Sequence, residues 1–510
     1  MIVILGGAAA WVGCGARSDL LEGSGGGSLS SSSASSAGTG GVASSSSVAS
    51  SSSVASSSSV ASSSIATTSS VASTSSSSSS GVIGGCSAAA PYAGSLCGPS
   101  GACTVLADET IAQNIWPFHS GSFGSFGAGQ GPAIALDASC APHVLTAFTW
   151  VGTIYSSRDP ATGWSNESPP LPSYSGSLVF GPTDAPLAVV HDGNFNSTLW
   201  TFTGQWKQID QIPGQVAMYG QGLGIDANGA LHAALWGPTN VTSATRAGSW
   251  STLTGAARTF PPVLSVSPVA SAHMAYWGWD GGTSQPTLDL SWWSPPSAPE
   301  VIATGGDNSI EQIGIATSAP DAENPAGKPH VIFGLSGAAA GNQIVYATRT
   351  GASQWTAVTI VQDSPSQNTC LASVPSAPGQ TCSYDYTVDQ PIGIALSQSG
   401  DARVFYSSSR FTGIMTAQCS PENPPDAGPP LCNWIGPGAG MAKETDTLHV
   451  AWVAGGTVET TALTSTSNPS IATIAVDTTG AMHLALYEAV TTAGSTTIST
   501  RYLRIGRASP

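Results

Sequence analysis

Residues 474–488, IAVDTTGAMHLALYE, set an aspartate six positions ahead of a histidine that opens a short apolar run. The same step recurs at residues 134–148, IALDASCAPHVLTAF, and at residues 224–237, GIDANGALHAALWG. Asp137/His143, Asp226/His232 and Asp477/His483 are either fragments of one active site or copies of one structural unit. A carboxylate at the head of a D-x-x-G turn accepts hydrogen bonds from backbone N–H groups two or three residues on. That is a turn-forming role, and it favours copies.

Laid out by the strand that holds the histidine, the chain reads PHVLTAF at 142, PLAVVHD at 186, LHAALWG at 231, AHMAYWG at 272, PHVIFGL at 329, ARVFYSS at 402, LHVAWVA at 448 and MHLALYE at 482. These are eight units, six with histidine at the second position and two with Leu187 or Arg403 there. Most follow a strand that ends in a turn (GIDANG, GIALSQSG, IAVDTTG) and precede a third strand (TIYSSR, NVTSATR, QIVYATR). Several then reach a Gly-x-Trp-like corner, as in TGW at 162, TGQW at 203 and AGSW at 247.

Self-similarity at a period near 45 residues, with short strands and no helical periodicity, predicts an all-β fold, a β-propeller. A blade that is apolar on both faces cannot hide them alone, so copies stack until the ring closes. Eight blades are favoured, seven if one unit is irregular, and a β-sandwich or solenoid is the competing class. The last unit stops after a third strand, TTISTRYLRIG, and CTVLADETIAQN at 103–114 is placed to supply the missing fourth. Residues repeated around a ring point to equivalent places in different blades, so the aspartates and histidines cannot converge on one site. Arg158, Arg246, Arg349 and Arg501 read as repeat positions too.

Composition bounds the rest. Of 510 residues 41% are apolar, only 8% are charged, and the net charge is −16. No basic surface is available for a nucleic-acid backbone. The first residues, MIVILGGAAAWVGCGARSD, form an apolar run of signal-peptide length that is too short to span a bilayer as an ordinary helix. Residues 1–22 are therefore a signal region, and they resemble a bacterial lipoprotein signal in which Cys14 becomes the lipidated first residue. Gly15 after that cysteine implies the outer membrane in such a family, with an ordinary secreted protein as the alternative. Residues 23–85 carry VASSSS repeats at Val42, Val48 and Val54 and read as a disordered tether. A flexible chain of that length spans about 45 Å end to end. Residues 86–103 are a Cys-rich lead-in and residues 104–510 the propeller.

Besides Cys14 there are eight cysteines, an even number suited to an oxidising compartment. Cys370/Cys382 and Cys419/Cys432 are expected to close locally, each contributing about 3 kcal/mol by loop entropy. Cys86, Cys97, Cys103 and Cys140 leave three connectivities open. No C-x-x-C accompanies a histidine at ligand spacing, so neither a metal nor a cofactor is expected.

The third-strand corners carry a second resemblance. SRDPATGW places Ser157, Asp159 and Trp164 at the spacing of the Asp-box, and TRTGASQW and TRAGSW keep its Gly and Trp. The repeat pattern over residues 104–510 thus resembles the sialidase-type propellers. The resemblance implies their fold. Their catalysis would need a non-repeated arginine triad, a Tyr/Glu nucleophile pair and an acid, none of which can be placed here.

A binding site must depart from the repeat. AYWGWDGGTSQPTLDLSWW does so most strongly, with Trp277 in the repeat column and Trp279 and Asp280 in the hairpin that follows. An aromatic ring beside a carboxylate suits a sugar face and its hydroxyls. SYDYTVDQP, with Tyr384, Asp385 and Tyr386 beside Cys382, is a second candidate. The favoured reading is a monomeric, exported, membrane-tethered propeller at the cell surface that binds a glycan or an extracellular envelope protein without catalysis. The alternatives are a polysaccharide-active hydrolase or lyase, marked by paired carboxylates at the central channel, and a structural envelope protein.

Overall fold

A computed structural model describes residues 86, 92 and 94–98 and, with interruptions in connecting segments, residues 102–507. Residues 1–85, with Cys14 and the segments expected to be a signal region and a tether, lie outside the described residues. Among the described residues, thirty strands form seven sheets. β1 (Cys103–Trp116) comes first and belongs to the last sheet. Blade 1 is β2 (Ala133–Leu136), β3 (Pro142–Phe148), β4 (Gly152–Asp159) and β5 (Gly163–Glu167). Blade 2 is β6 (Gly176–Phe180), β7 (Pro186–His191), β8 (Ser197–Phe202) and β9 (Trp206–Ile212). Blade 3 is β10 (Gln221–Ile225), β11 (Leu231–Trp236), β12 (Asn240–Ala247) and β13 (Ser249–Ala257). Blade 4 is β14 (Val263–Val266), β15 (Ala272–Trp279), β16 (Leu288–Trp293) and β17 (Glu300–Gly305). Blade 5 is β18 (Ile313–Ser318), β19 (Lys328–Gly337), β20 (Gly341–Gly351) and β21 (Gln354–Gln362).

Blade 6 is β22 (Thr381–Leu396), β23 (Ala402–Cys419), β26 (Asp446–Ala454) and β27 (Thr457–Thr466), with β24 (Cys432–Ile435) and β25 (Ala442–Lys443) pairing onto β23. Blade 7 is β28 (Thr473–Val476), β29 (Met482–Thr492), β30 (Ser495–Arg507) and, as its outer strand, β1. The amino-terminal strand thus completes the final blade, from Cys103 opposite Arg507 to Trp116 opposite Thr496. Every ladder is antiparallel, and the first strands of successive blades lie side by side around the ring, β28 next to β2. The fold is a seven-bladed β-propeller.

The expectation of eight blades is corrected by one sheet. ARVFYSS at 402 and LHVAWVA at 448 are the second and third strands of blade 6, paired Tyr406 to His449, and not the second strands of two blades. An insertion between β23 and β26 separates them by a distance that imitates the repeat period. His449 therefore mimics the histidine column from the wrong strand.

Packing runs between blades. Ala275, Trp277 and Leu290 of blade 4 share one cluster with Ile313, Val331 and Phe333 of blade 5. Leu199 and Ile212 of blade 2 share another with Ile225 and Leu235 of blade 3. Inner strands come close enough that a Cβ at Gly222 would sit 2.1 Å from the Leu264 side chain of the next blade. At the seam between blades 7 and 1, the Thr473 hydroxyl accepts from Ile134 N and donates to Pro132 O, both at 2.8 Å.

Cys86 is bonded to Cys140 and Cys97 to Cys103, which selects one of the three connectivities. Cys382 and Cys432 each also take part in a disulfide. Cys419 lies directly across the ladder from Cys432, whereas Cys370 lies outside the described residues. The bridges fit an oxidising, extracytoplasmic compartment. No described helix is long and apolar enough to cross a membrane.

Candidate functional site

The histidine column is a scaffold device. His143, His232 and His483 each point one nitrogen at the turn aspartate six residues earlier, at 3.2, 3.0 and 3.2 Å. The other nitrogen meets a hydroxyl on the third strand: Tyr155 at 2.6 Å, Thr245 at 3.2 Å and Tyr502 at 2.7 Å. His330 keeps the arrangement with Ser318 and Tyr346, and His273 bonds Ala326 O. The ring thus ties the first turn of a blade to its third strand. The same carboxylates cap their turns, as Asp226 does by accepting from Asn228 N and Ala230 N. Burial alone would raise Asp477, but bonds from His483, Thr479 and the backbone outweigh it and hold it well below the usual carboxylate range. Burial pushes His273 down to about 4 and His330 to about 3, so both are neutral. The Asp–His networks of blades 1, 3 and 7 each sit in their own sheet and do not converge, whereas His273 of blade 4 reaches across to the β18–β19 turn of blade 5.

A second column joins neighbouring blades. Arg158, at the end of the third strand of blade 1, bonds Glu109 on the outer strand of blade 7, to which Trp164 also donates its indole N–H. Arg246 and Trp250 of blade 3 hold Asp210 of blade 2 in the same way, at 2.8 and 3.1 Å. Arg349 of blade 5 grips Glu300 of blade 4 at 2.8 and 2.9 Å and lies 4.9 Å over the Trp292 ring. The Arg158 hydrogen bond lowers Glu109, and Arg349 lowers Glu300. Arg501 stands at a different position: it lies opposite Leu486 in blade 7, binds Asp108 and Glu488 of its own blade, and donates to Ser465 O and Thr464 Oγ1 of blade 6. The position matching Arg158 in that blade is Ile505, opposite Met482. The four arginines therefore do not form a sialidase-like triad, and the resemblance holds at the level of the propeller fold. At the Asp-box-like corner, Asp159 caps its turn by accepting from Ala161 N and Thr162 N at 2.8 Å.

The clasp is absent where its carboxylate or arginine is replaced. Between blades 1 and 2, Glu167 remains but Phe202 stands in the arginine position, and the buried Trp206 indole N–H has no partner. Between blades 3 and 4, Leu253 takes the carboxylate position and Pro295 follows where the arginine would stand. A cavity of about 390 Å³ opens there, lined by Leu253, Thr254, Gly255, Trp293, Pro296, Ser297 and Pro299. No lining residue is charged. A Cβ at Gly255 would come within 2.7 Å of the Trp293 ring, so the glycine lets β13 pack directly onto that ring, which is 4% exposed and lines the cavity at the edge of the core. The Trp293 indole N–H is committed to Ser297 O at 2.8 Å, and Leu253 is 48% exposed at the mouth. This is the clearest departure from the repeat among the described residues.

The sequence-predicted ligand residues are not brought together there. Trp277 is corrected to a core residue, 1% exposed and edge-on to Phe333 at 6.2 Å, because it occupies the inward position of a second strand. Trp279 ends the same strand opposite Leu288, while Asp280 lies outside the described residues. Tyr384, Asp385 and Tyr386 pair with Gly413, Thr412 and Phe411 in the extension of β22 and β23 beyond the blade. Both segments stand at the end of the propeller opposite the aspartate turns, since their strands run from that end toward those turns or away from them. Sequence reasoning missed the rim cavity. Its signal was present as Leu253 and a Ser-Pro-Pro turn in columns that elsewhere hold an acid and an arginine. No group of three metal-binding side chains occurs among the described residues.

No family model and no curated protein matches the chain. Solved structures with some similarity include AofleA from Arthrobotrys oligospora, at 14% identity over 46% of this chain and 74% of that one, TM-score 0.31. An Aleuria aurantia lectin in complex with Fucα1-6GlcNAc matches at 10% identity over 65% and 95%, TM-score 0.35. An endo-arabinase from Bacteroides thetaiotaomicron matches at 11% over 57% and 93%, TM-score 0.28. Likenesses at these values carry no argument about what this chain binds. The propeller assignment rests on its own sheet topology.

Proposed function

We propose that this chain is an extracytoplasmic propeller that binds an uncharged glycan without transforming it. The observation that carries the reading is the charge-free cavity between blades 3 and 4, walled by Trp293, Leu253 and two prolines and edged by Thr254 and Ser297. A sugar ring has an apolar C–H face and polar hydroxyl edges, which matches an aromatic and aliphatic wall with hydroxyl groups at its rim. Catalysis is disfavoured because the column histidines and turn carboxylates are spent on turns and strand bridges in separate blades. In the same reading Cys14 carries the lipid anchor, residues 23–85 act as spacer, and Trp279 with Tyr384 to Tyr386 supply a second contact area at the opposite end.

The test is a glycan array probed with the full chain at low and high salt. Binding to neutral glycans that survives high salt supports the reading. Binding confined to charged glycans, or lost with salt, contradicts the neutral cavity as the site. Turnover of any bound glycan would replace the binding function with an enzymatic one.

A further inference from the structure

We propose that Cys140 is a thiol–disulfide exchange site, and that its bond to Cys86 is a latch across the seam where the ring closes. That seam is the mechanical weak point, because blade 7 borrows its outer strand from the amino-terminal side of blade 1 and holds it by backbone hydrogen bonds. The lead-in crosses the aspartate turns next to it. Cys86 is bonded to Cys140 in the first turn of blade 1. Tyr92 lies against Gly480 in the corresponding turn of blade 7, where a Cβ would be 2.5 Å from its ring. Leu96 N donates to Asp401 in the turn of blade 6 at 3.1 Å.

Arg403 explains why the histidine column is broken in blade 6. Its guanidinium donates to Leu96 O at 3.2 Å and to Cys97 O, while Asp401 braces it at 2.5 and 3.0 Å. A histidine could not reach two carbonyls of a passing segment. Gly98 is needed beside it, since a Cβ there would stand 2.8 Å from the guanidinium. The lead-in is thus pinned to blades 1, 7 and 6 before it becomes β1.

The two bridges differ in access. Cys97 and Cys103 are both buried, Cys97 inside a core cluster with Leu96, Phe405 and Leu484. In the other bridge Cys86 is buried too, but Cys140 is partly exposed and sits in the left-handed backbone region, φ 68°. A dithiol reductant therefore meets Cys140 first. Its thiolate attacks one sulfur of the 86–140 bridge and forms a mixed disulfide. The second thiol then resolves it, leaving two cysteine thiols and an oxidised reductant. The 54-residue separation between the two cysteines contains β1, so opening this bridge removes the covalent tie across the seam and leaves β1 held by its ladder to β30 and by the Arg403 grip on the lead-in.

The experiment is graded reduction of the full chain with dithiothreitol, read by thiol-labelling mass spectrometry and by hydrogen exchange. Cys86 and Cys140 are expected to label at least tenfold faster than Cys97 and Cys103. Amide exchange along β1 and β30 is expected to rise at least tenfold at that point, with blades 3 and 4 unchanged. A chain carrying Cys86→Ala and Cys140→Ala should show the same exchange without reductant. If that variant fails to fold, the wild-type reduction series decides alone. Simultaneous labelling of all four cysteines, or unchanged exchange of β1 after selective opening, would overturn the proposal.

Discussion

At the scale of single residues, His273 and His330 are buried, neutral groups whose protonation the fold resists. His273 and His330 are pushed to about 4 and about 3, against about 6.5 in an unfolded chain, because burial disfavours the imidazolium. The folded state then binds fewer protons, so stability is fully present above about pH 6.5 and is lost as pH falls through 4 toward 3. Each group contributes on the order of 3 kcal/mol across that window. Thermal unfolding followed from pH 7 to pH 4 should show the midpoint falling by several degrees. His330→Asn should lower the midpoint at pH 7 and flatten the slope. A flat profile for the native chain would count against neutral, buried histidines. The role of Asp137, Asp226 and Asp477 was legible from the six-residue step, since a turn carboxylate needs only local sequence. Trp277 was half legible: the repeat column marked it as core, but its neighbours Trp279 and Asp280 invited a ligand.

At the scale of strands and corners, the inter-blade clasps test the repeat logic. Arg246 and Asp210 are each about a third exposed, so solvent screening limits their pair to about 0.5–1 kcal/mol. A double-mutant cycle of Arg246→Ala and Asp210→Ala, measured by urea unfolding, should return coupling of that size. The pair Arg349 and Glu300 is more buried, bidentate and stacked on Trp292, and its cycle should give the larger coupling. Equal values would contradict the burial argument. Phe202→Arg offers the missing cation to Glu167 at the blade 1–2 interface, and stabilisation by that variant would show that the column positions are interchangeable. Arg158, Arg246 and Arg349 were legible as repeat positions. Arg501 was not, because the position that matches Arg158 lies four residues further on, at Ile505, and only the ladder from Met482 to Ile505 shows the offset. The carboxylates on the other side of each clasp were invisible for a related reason: each lies in the blade before.

At the scale of the whole molecule, ring closure makes β1 part of the last blade although it precedes the first. A chain that begins after residue 116 should therefore lose the outer edge of blade 7, including Asp108 as partner for Arg501 and Glu109 for Arg158. Its urea transition should broaden and shift to lower concentration, whereas an unchanged transition would deny the closure. The sequence showed this strand because blade 7 visibly lacked a fourth. It showed one blade too many because the insertion after β23 moved LHVAWVA a full period away from its own sheet. The rim cavity depends on which outer strand faces which corner, a pairing that appears only once the ring is closed.

The measurement that bears most directly on the proposed function is a calorimetric titration of the best neutral glycan from the array into three proteins: the native chain, Leu253→Arg and Trp279→Ala. Leu253 is exposed, so its replacement puts a charge at the cavity mouth without removing a core contact. Binding at least tenfold weaker is expected for Leu253→Arg, with a smaller loss for Trp279→Ala, whose residue belongs to the proposed second contact area. Undiminished binding by Leu253→Arg would contradict the cavity between blades 3 and 4 as the glycan site.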